Sequence, residues 1–169
     1  MPSSDFDIIF RALQEADVRY LVVGGVAVVL HGHLRFTADL DLIVALDAAN
    51  VRAAMSTLKA LGYRPRAPVP AEQFADPATR RQWIEEKGLA VFSLWSPEPP
   101  ATEVDIFVEE PFLFEEAYGR ATRAEVGGAH ITVASIPDLI ALKRKVGRPK
   151  DIEDIAALEA IEQEVKRRG

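Results

Sequence analysis

Apolar positions along the chain switch between helical and strand spacing, and the switches outline its elements. Phe6, Ile9, Phe10 and Leu13 recur at helical spacing after Ser4, a residue suited to capping, which predicts a helix from about Ser4 to Ala16. RYLVV, residues 19–23, is a short apolar run of strand composition. GVAVVLHGH, residues 25–33, is rich in valine, but the glycine pair at 24–25 and Gly32 suit a strand, a tight turn and a short helix. LDLIVAL, residues 40–46, predicts a strand, and DAANVRAAMSTLKALGY, residues 47–63, an amphipathic helix with Asp47 or Asn50 near its cap and Gly62 at its end. LAVFSLWS and TEVDIFV predict two strands joined by the turn PEPPA, hence a hairpin. A helix around FLFEEAYGR follows, then the strands ATRAEV and HITVA across a glycine turn. Two helices close the chain, IPDLIALKRKV and DIEDIAALEAIEQEVKRR, separated by GRPK. The stretch 64–88 carries four prolines and mixed charge, and predicts a loop with a short helix.

Strands and helices intermixed in this way indicate an α/β (α+β) domain. The 169 residues suffice for one domain with a proper core, so 1–169 is expected to be a single unit. Its core is expected over about 18–110 and a C-terminal helical part over about 135–169. With 49% apolar and 27% charged residues the composition points to neither disorder nor a membrane protein. The longest apolar run, YLVVGGVAVVLHG, is too short to span a bilayer. The acidic start lacks the features of a secretory signal, and the absence of cysteine excludes disulfides, thiolate metal sites and a thiol nucleophile. A cytoplasmic location is the default expectation. A net charge of -6 argues against coating nucleic acid through general basicity, so any polyanion must meet a local basic patch.

The chemistry concentrates in the acids. Strand alternation turns Asp39, Asp41 and Ile43 one way and Leu40, Leu42 and Val44 the other. The Cα atoms of Asp39 and Asp41 would lie roughly 6.6 Å apart, which lets both carboxylates converge on one or two cations. Asp105 holds the matching place in TEVDIFV and becomes a third carboxylate if the two strands pair. Oxygen donors without cysteine suit Mg²⁺ or Mn²⁺ better than zinc. Taken alone, DLDL also fits a strand with its polar side in water. Upstream, LVVGGVAV leads an apolar strand into Gly24 and Gly25, whose backbone N–H groups offer a place for phosphate, although neither common nucleotide-binding fingerprint is present. KRKVGRPK, residues 143–150, holds five of the 20 basic residues and is the natural counter-charge. For Arg144 and Lys145 individually, a solvated helix end favoured by the dipole fits as well. GRPK also matches the core of a minor-groove DNA hook, which a position between two helices disfavours. Asp151 suits an N-cap with Asp154 at N3, or a supporting place at the site. His31 and His33 suggest a metal pair only weakly.

The order of these parts, Gly24-Gly25, thirteen intervening residues, Asp39-Leu40-Asp41-Leu42 and later Val104-Asp105-Ile106, resembles the nucleotidyltransferase superfamily of the polymerase-beta type. Within it the chain is most similar to the small AbiEii-type group, many of whose members are toxins of toxin–antitoxin pairs. LIALKRKVGRPKDIEDIAAL is similar to that group's lysine-bearing helix and Arg-x-x-Asp segment. The resemblance covers about Tyr20 to Leu158 and leaves residues 65–90 unmatched.

It implies a small mixed sheet with helices packed on it and C-terminal helices. It also implies Mg²⁺ (or Mn²⁺) on Asp39 and Asp41, with Asp105 helping to activate the attacking hydroxyl. Gly24 and Gly25 would cradle the triphosphate, and Lys143 would contact phosphate. From the residues alone, Arg148 is the second choice for that contact, Arg35 and Thr37, just before the acid strand, are placed to face the nucleotide, and Asp151 has the supporting place given above. The implied reaction transfers a nucleoside monophosphate from a nucleoside triphosphate to an RNA or protein hydroxyl, releasing pyrophosphate. An antitoxin protein is an implied partner. One departure stands out: many members carry serine where this chain has Gly25. It motivates an alternative, a non-catalytic binding module of the same fold acting on a protein or DNA partner.

Overall fold

A computed structural model describes residues 5–98 and 102–169, so the proposed cap at Ser4 and residues 99–101 of the PEPPA turn lie outside the described residues. The first helix, α1 (Asp5–Glu15), leads into strand β1 (Tyr20–Val23), helix α2 (Gly24–Leu30), strand β2 (Leu40–Val44) and helix α3 (Ala48–Ala60). Then come strand β3 (Arg64–Pro65), a 3-10 turn (Ala71–Ala75), helix α4 (Pro77–Lys87), and strands β4 (Val91–Trp95) and β5 (Val104–Phe107). Helix α5 (Phe114–Gly119), strands β6 (Thr122–Val126) and β7 (Ala129–Val133), and helices α6 (Ile136–Val146) and α7 (Pro149–Arg168) complete the described chain.

The strands form one mixed sheet in the order β3-β4-β5-β2-β1-β7-β6. β4 and β5 pair antiparallel, as their hairpin spacing predicts. β2 lies antiparallel to β1 and parallel to β5, with Leu40 opposite Val104, Asp41 opposite Asp105 and Leu42 opposite Ile106. The alternating Leu40, Leu42, Val104 and Ile106 are fully buried, which fixes this register, because a one-residue slip would bury the acids in their place. Ile43, on the same face as the acids, is also buried at 1% exposure. The acidic face is therefore open only at the beginning of β2, and Asp39 stands just before that strand, exposed.

Asp47 caps α3, accepting from the Asn50 backbone N–H at 3.0 Å. Asn50, the other cap candidate, is buried inside the helix. Its amide donates to the carbonyls of Arg19 and Ala45, and its Oδ1 accepts from Arg19 N–H, tying α3 to β1 and β2.

Residues 64–88 are more ordered than a loop with a short helix. Asp76 caps α4, accepting from Ala78 N–H at 3.3 Å and Thr79 Oγ1–H at 2.7 Å. Trp83 stacks on Phe92 with ring centroids 5.2 Å apart, and Phe74 packs on the same ring. Buried Arg80 donates to the Phe74 carbonyl. Two widely spaced aromatic anchors and a buried arginine hold this segment, so no continuous apolar stripe announces it.

The start of α7 also differs from expectation. Arg148 is the N-cap, Pro149 opens the helix, and Asp151 is at N3, where it accepts from the Arg148 backbone N–H at 3.1 Å. Asp151 is thus the far half of a capping box, and Asp154 is free of any capping role. No described helix is long and apolar enough to cross a membrane.

Candidate active site

The end of β1, the beginnings of β2 and β5, and helices α6 and α7 enclose a cavity of about 410 Å³. Its wall brings together Gly24, Asp39, Asp41, Asp105, Lys143, Arg148 and Asp151 from the sequence-derived candidates, and adds Lys150. Gly25 and Arg35 are not on that wall.

Asp41 and Asp105 face each other across paired strands, and their environment resists a second charge. Burial pushes the Asp41 carboxyl up to about 7, reinforced by Asp105 and Asp39 and partly offset by Lys143 and Lys150. Burial likewise raises Asp105, against a hydrogen bond from Ser93, and Glu103 and Asp39 add to the rise. Asp105 Oδ1 is buried without a hydrogen-bond partner. A buried, partnerless carboxylate oxygen opposite a second hard oxygen donor fits a divalent cation such as Mg²⁺. Among the described residues no three acidic or histidine side chains form a ready-made cage for an ion.

Gly24 makes the approach of Asp41 feasible. It lies at φ +68, and a Cβ there would collide with Asp41 Oδ2. Gly24→Ala should cost about 2 kcal/mol in urea unfolding through left-handed backbone strain, and should displace the Asp41 carboxylate. A loss below about 0.5 kcal/mol would show that this contact is not tight.

Gly25 has a different constraint. A Cβ there would lie 2.6 Å from Thr37 Oγ1 and 2.9 Å from Arg35 Nη2, so the Thr37 hydroxyl occupies the space beside the missing side chain. The segment 33–37 alternates, with Arg35 and Thr37 turned inward and Leu34 and Phe36 left 86% and 84% exposed. Arg35 is drawn away from the cavity to α7. Its Nη2 donates to Asp154 Oδ2 at 3.1 Å, and its Nε lies 3.0 Å from Asp154 Oδ1.

Lys143 is on the cavity wall but almost fully buried. Its Nζ lies 3.0 Å from Asp154 Oδ2 and 3.7 Å from Asp151 Oδ1. Arg148 Nε donates to Asp151 Oδ2 at 2.9 Å. Burial works against the Asp151 charge, but the Arg148 hydrogen bonds and nearby Lys143 prevail and hold its carboxyl below the usual range. Asp154, passed over in the sequence except as a helix-start residue, is therefore the anion on which Lys143 and Arg35 converge. Its spacing of three from Asp151 was the available signal, since i and i+3 share a helix face. His31 donates from Nε2 to the Ala134 carbonyl at 2.8 Å, so that nitrogen is committed to the backbone.

A mixed sheet whose rim carries paired carboxylates beside a basic helix pair defines a nucleotidyltransferase-like fold. The chain belongs to the family described as "Nucleotidyltransferase of unknown function (DUF6036)", whose profile matches residues 6–165. No curated relative matches it. Among solved structures it is similar to the lincomycin-bound lincosamide antibiotic adenylyltransferase LnuA, at 17% identity and TM-score 0.61, over 93% of this chain and 96% of that one. The ANT(2")-Ia complex with adenylyl-2"-tobramycin is similar at 18% identity and TM-score 0.56, over 96% and 95%. An antigenic nucleotidyltransferase-like protein from Paracoccidioides brasiliensis matches at 17% identity and TM-score 0.57, over 91% and 74%. At these identities the likeness is one of fold.

Proposed function

We propose that this nucleotidyltransferase moves a nucleoside monophosphate from a nucleoside triphosphate to a hydroxyl of an RNA or protein acceptor, with release of pyrophosphate. The observation that carries this is the facing pair Asp41 and Asp105 at the rim of a cavity whose opposite wall is basic. Asp39, Asp41 and Asp105 would hold Mg²⁺ or Mn²⁺, which when bound screens the phosphates and polarises the phosphorus under attack. Asp105 has an unpartnered oxygen and a raised carboxyl pKa, and would take the proton from the attacking hydroxyl. Gly24, on the cavity wall, would set its backbone beside the triphosphate, while Gly25 lies off that wall beside the Thr37 hydroxyl, and Lys143, Arg148 and Lys150 give the cavity positive charge. Arg35 and Asp151 act one step removed, through the ion pairs that fix those cations. The AbiEii-type likeness further suggests a toxin held by an antitoxin protein.

With label on the α-phosphate and Mg²⁺ present, the wild-type protein should transfer label to a macromolecular fraction. Asp39→Ala and Asp41→Ala should reduce incorporation to background. Wild type and both variants equally inactive with all four triphosphates would end this reading. Binding of a protein or DNA partner without any triphosphate binding would establish the non-catalytic module in its place.

A further inference from the structure

Three cations line the cavity, Lys143, Arg148 and Lys150, and their surroundings differ. The Lys143 side chain is 8% exposed and lies between two carboxylates that are themselves 1% and 2% exposed. Moving its ammonium toward a ligand would leave Asp151 with Arg148 alone and Asp154 with Arg35 alone, taking one cation from each of two buried carboxylates. Arg148 is held by its capping-box bonds to Asp151. Lys150 is exposed, has no ion-pair partner among the described residues, and stands on the same wall as Asp41. Its four-carbon stem lets a strongly hydrated ammonium follow a mobile phosphate group.

We propose that Lys150, rather than Lys143, supplies the positive charge that meets the phosphates of a bound nucleoside triphosphate, while Asp154 is a positioning residue that keeps Lys143 and Arg35 fixed in the frame. This rests on the nucleotidyltransferase reading above. Lys143 then sets the shape and background potential of the cavity, and Lys150 responds to the ligand's charge. Asp154 acts through its two partners and touches no reacting atom. The Thr37 and Arg35 segment stays folded over Gly25 because Arg35 is anchored on α7.

Calorimetry on the full chain with Mg²⁺ separates these roles, using each nucleoside triphosphate and the matching nucleoside as ligands. Lys150→Met should weaken triphosphate binding roughly tenfold, leave nucleoside binding at its wild-type value, and leave the melting temperature of the free protein unchanged. Lys150→Arg should restore triphosphate affinity to within roughly twofold of wild type, since the charge is kept. Lys143→Met should lower the melting temperature of the free protein, because two buried carboxylates each lose one of their two cationic partners.

Equal triphosphate affinity in wild type and Lys150→Met would overturn the proposal while leaving the nucleotidyltransferase reading intact. So would a larger affinity loss in Lys143→Met than in Lys150→Met at an unchanged melting temperature. A wild-type protein that binds none of the four triphosphates would overturn both.

Discussion

Asp41→Asn should abolish nucleotide transfer and at the same time make the folded protein more stable at pH 8. The loss of transfer follows from removing one of the facing carboxylates, which costs several kcal/mol of transition-state stabilisation, on the order of a thousandfold in rate. The gain in stability follows from the raised Asp41 carboxyl, at about 7 in the folded protein against an ordinary value of 3.8. Because the folded form binds this proton more tightly than the unfolded chain, the wild type loses stability as pH rises from about 4 through about 7. Asparagine carries no such cost. At pH 8 the variant should exceed wild type by on the order of 2 kcal/mol in urea unfolding, less than the full shift implies because the carboxylate is partly open to the cavity. The gap should close as pH falls toward 4. A variant no more stable than wild type at pH 8 would show that the folded protein leaves Asp41 as comfortable as water does. Activity traded against stability in this way is usual where like charges are gathered for chemistry.

Asp154→Ala should cost about 3 kcal/mol of folding stability, the larger effect on the folded state. The Asp154 side chain is 2% exposed and holds Lys143 Nζ at 3.0 Å and Arg35 Nε at 3.0 Å. Truncation leaves a buried ammonium with only Asp151 at 3.7 Å, and uncompensated buried charge is what makes the loss of one partner expensive. Arg35 is less buried and will find water, so most of the cost should trace to Lys143. Urea unfolding at pH 7 measures it. A loss below about 1 kcal/mol would mean that Lys143 swings out to solvent when released.

The acids were legible because they break a rule. Charged residues inside apolar alternation, at Asp39, Asp41 and Asp105, stand out in a single sequence, and so does the glycine pair before them. Their register did not, since β2 and β5 pair parallel across more than half a hundred residues and nothing local sets Asp41 against Asp105. The basic segment showed which helix faces the site but not which cation is free. Lys143 and Lys150 look alike in one dimension, and only the carboxylates of α7 distinguish them. Asp154 was hidden for the same reason, because an acid near a helix start is usually explained by the dipole. Gly25 was legible only as a departure from the resemblance, and the Thr37 hydroxyl that lies beside it comes twelve positions later in the chain, beyond any local reading. The 71–87 segment stayed unread because its burial depends on Phe74 and Trp83 meeting Phe92, a contact that no window of local sequence contains.

The placement of β1 between β2 and β7 has a bearing on how the molecule comes into being. Val22 is matched with Val133, and the Ala134 amide donates to the Val22 carbonyl, so one side of a central strand waits for a segment synthesised far later. Contacts this distant along the chain make folding slow and its final steps late. During synthesis the carboxylates of β2 precede their cationic counterparts off the ribosome, and the pocket exists only once α7 has docked.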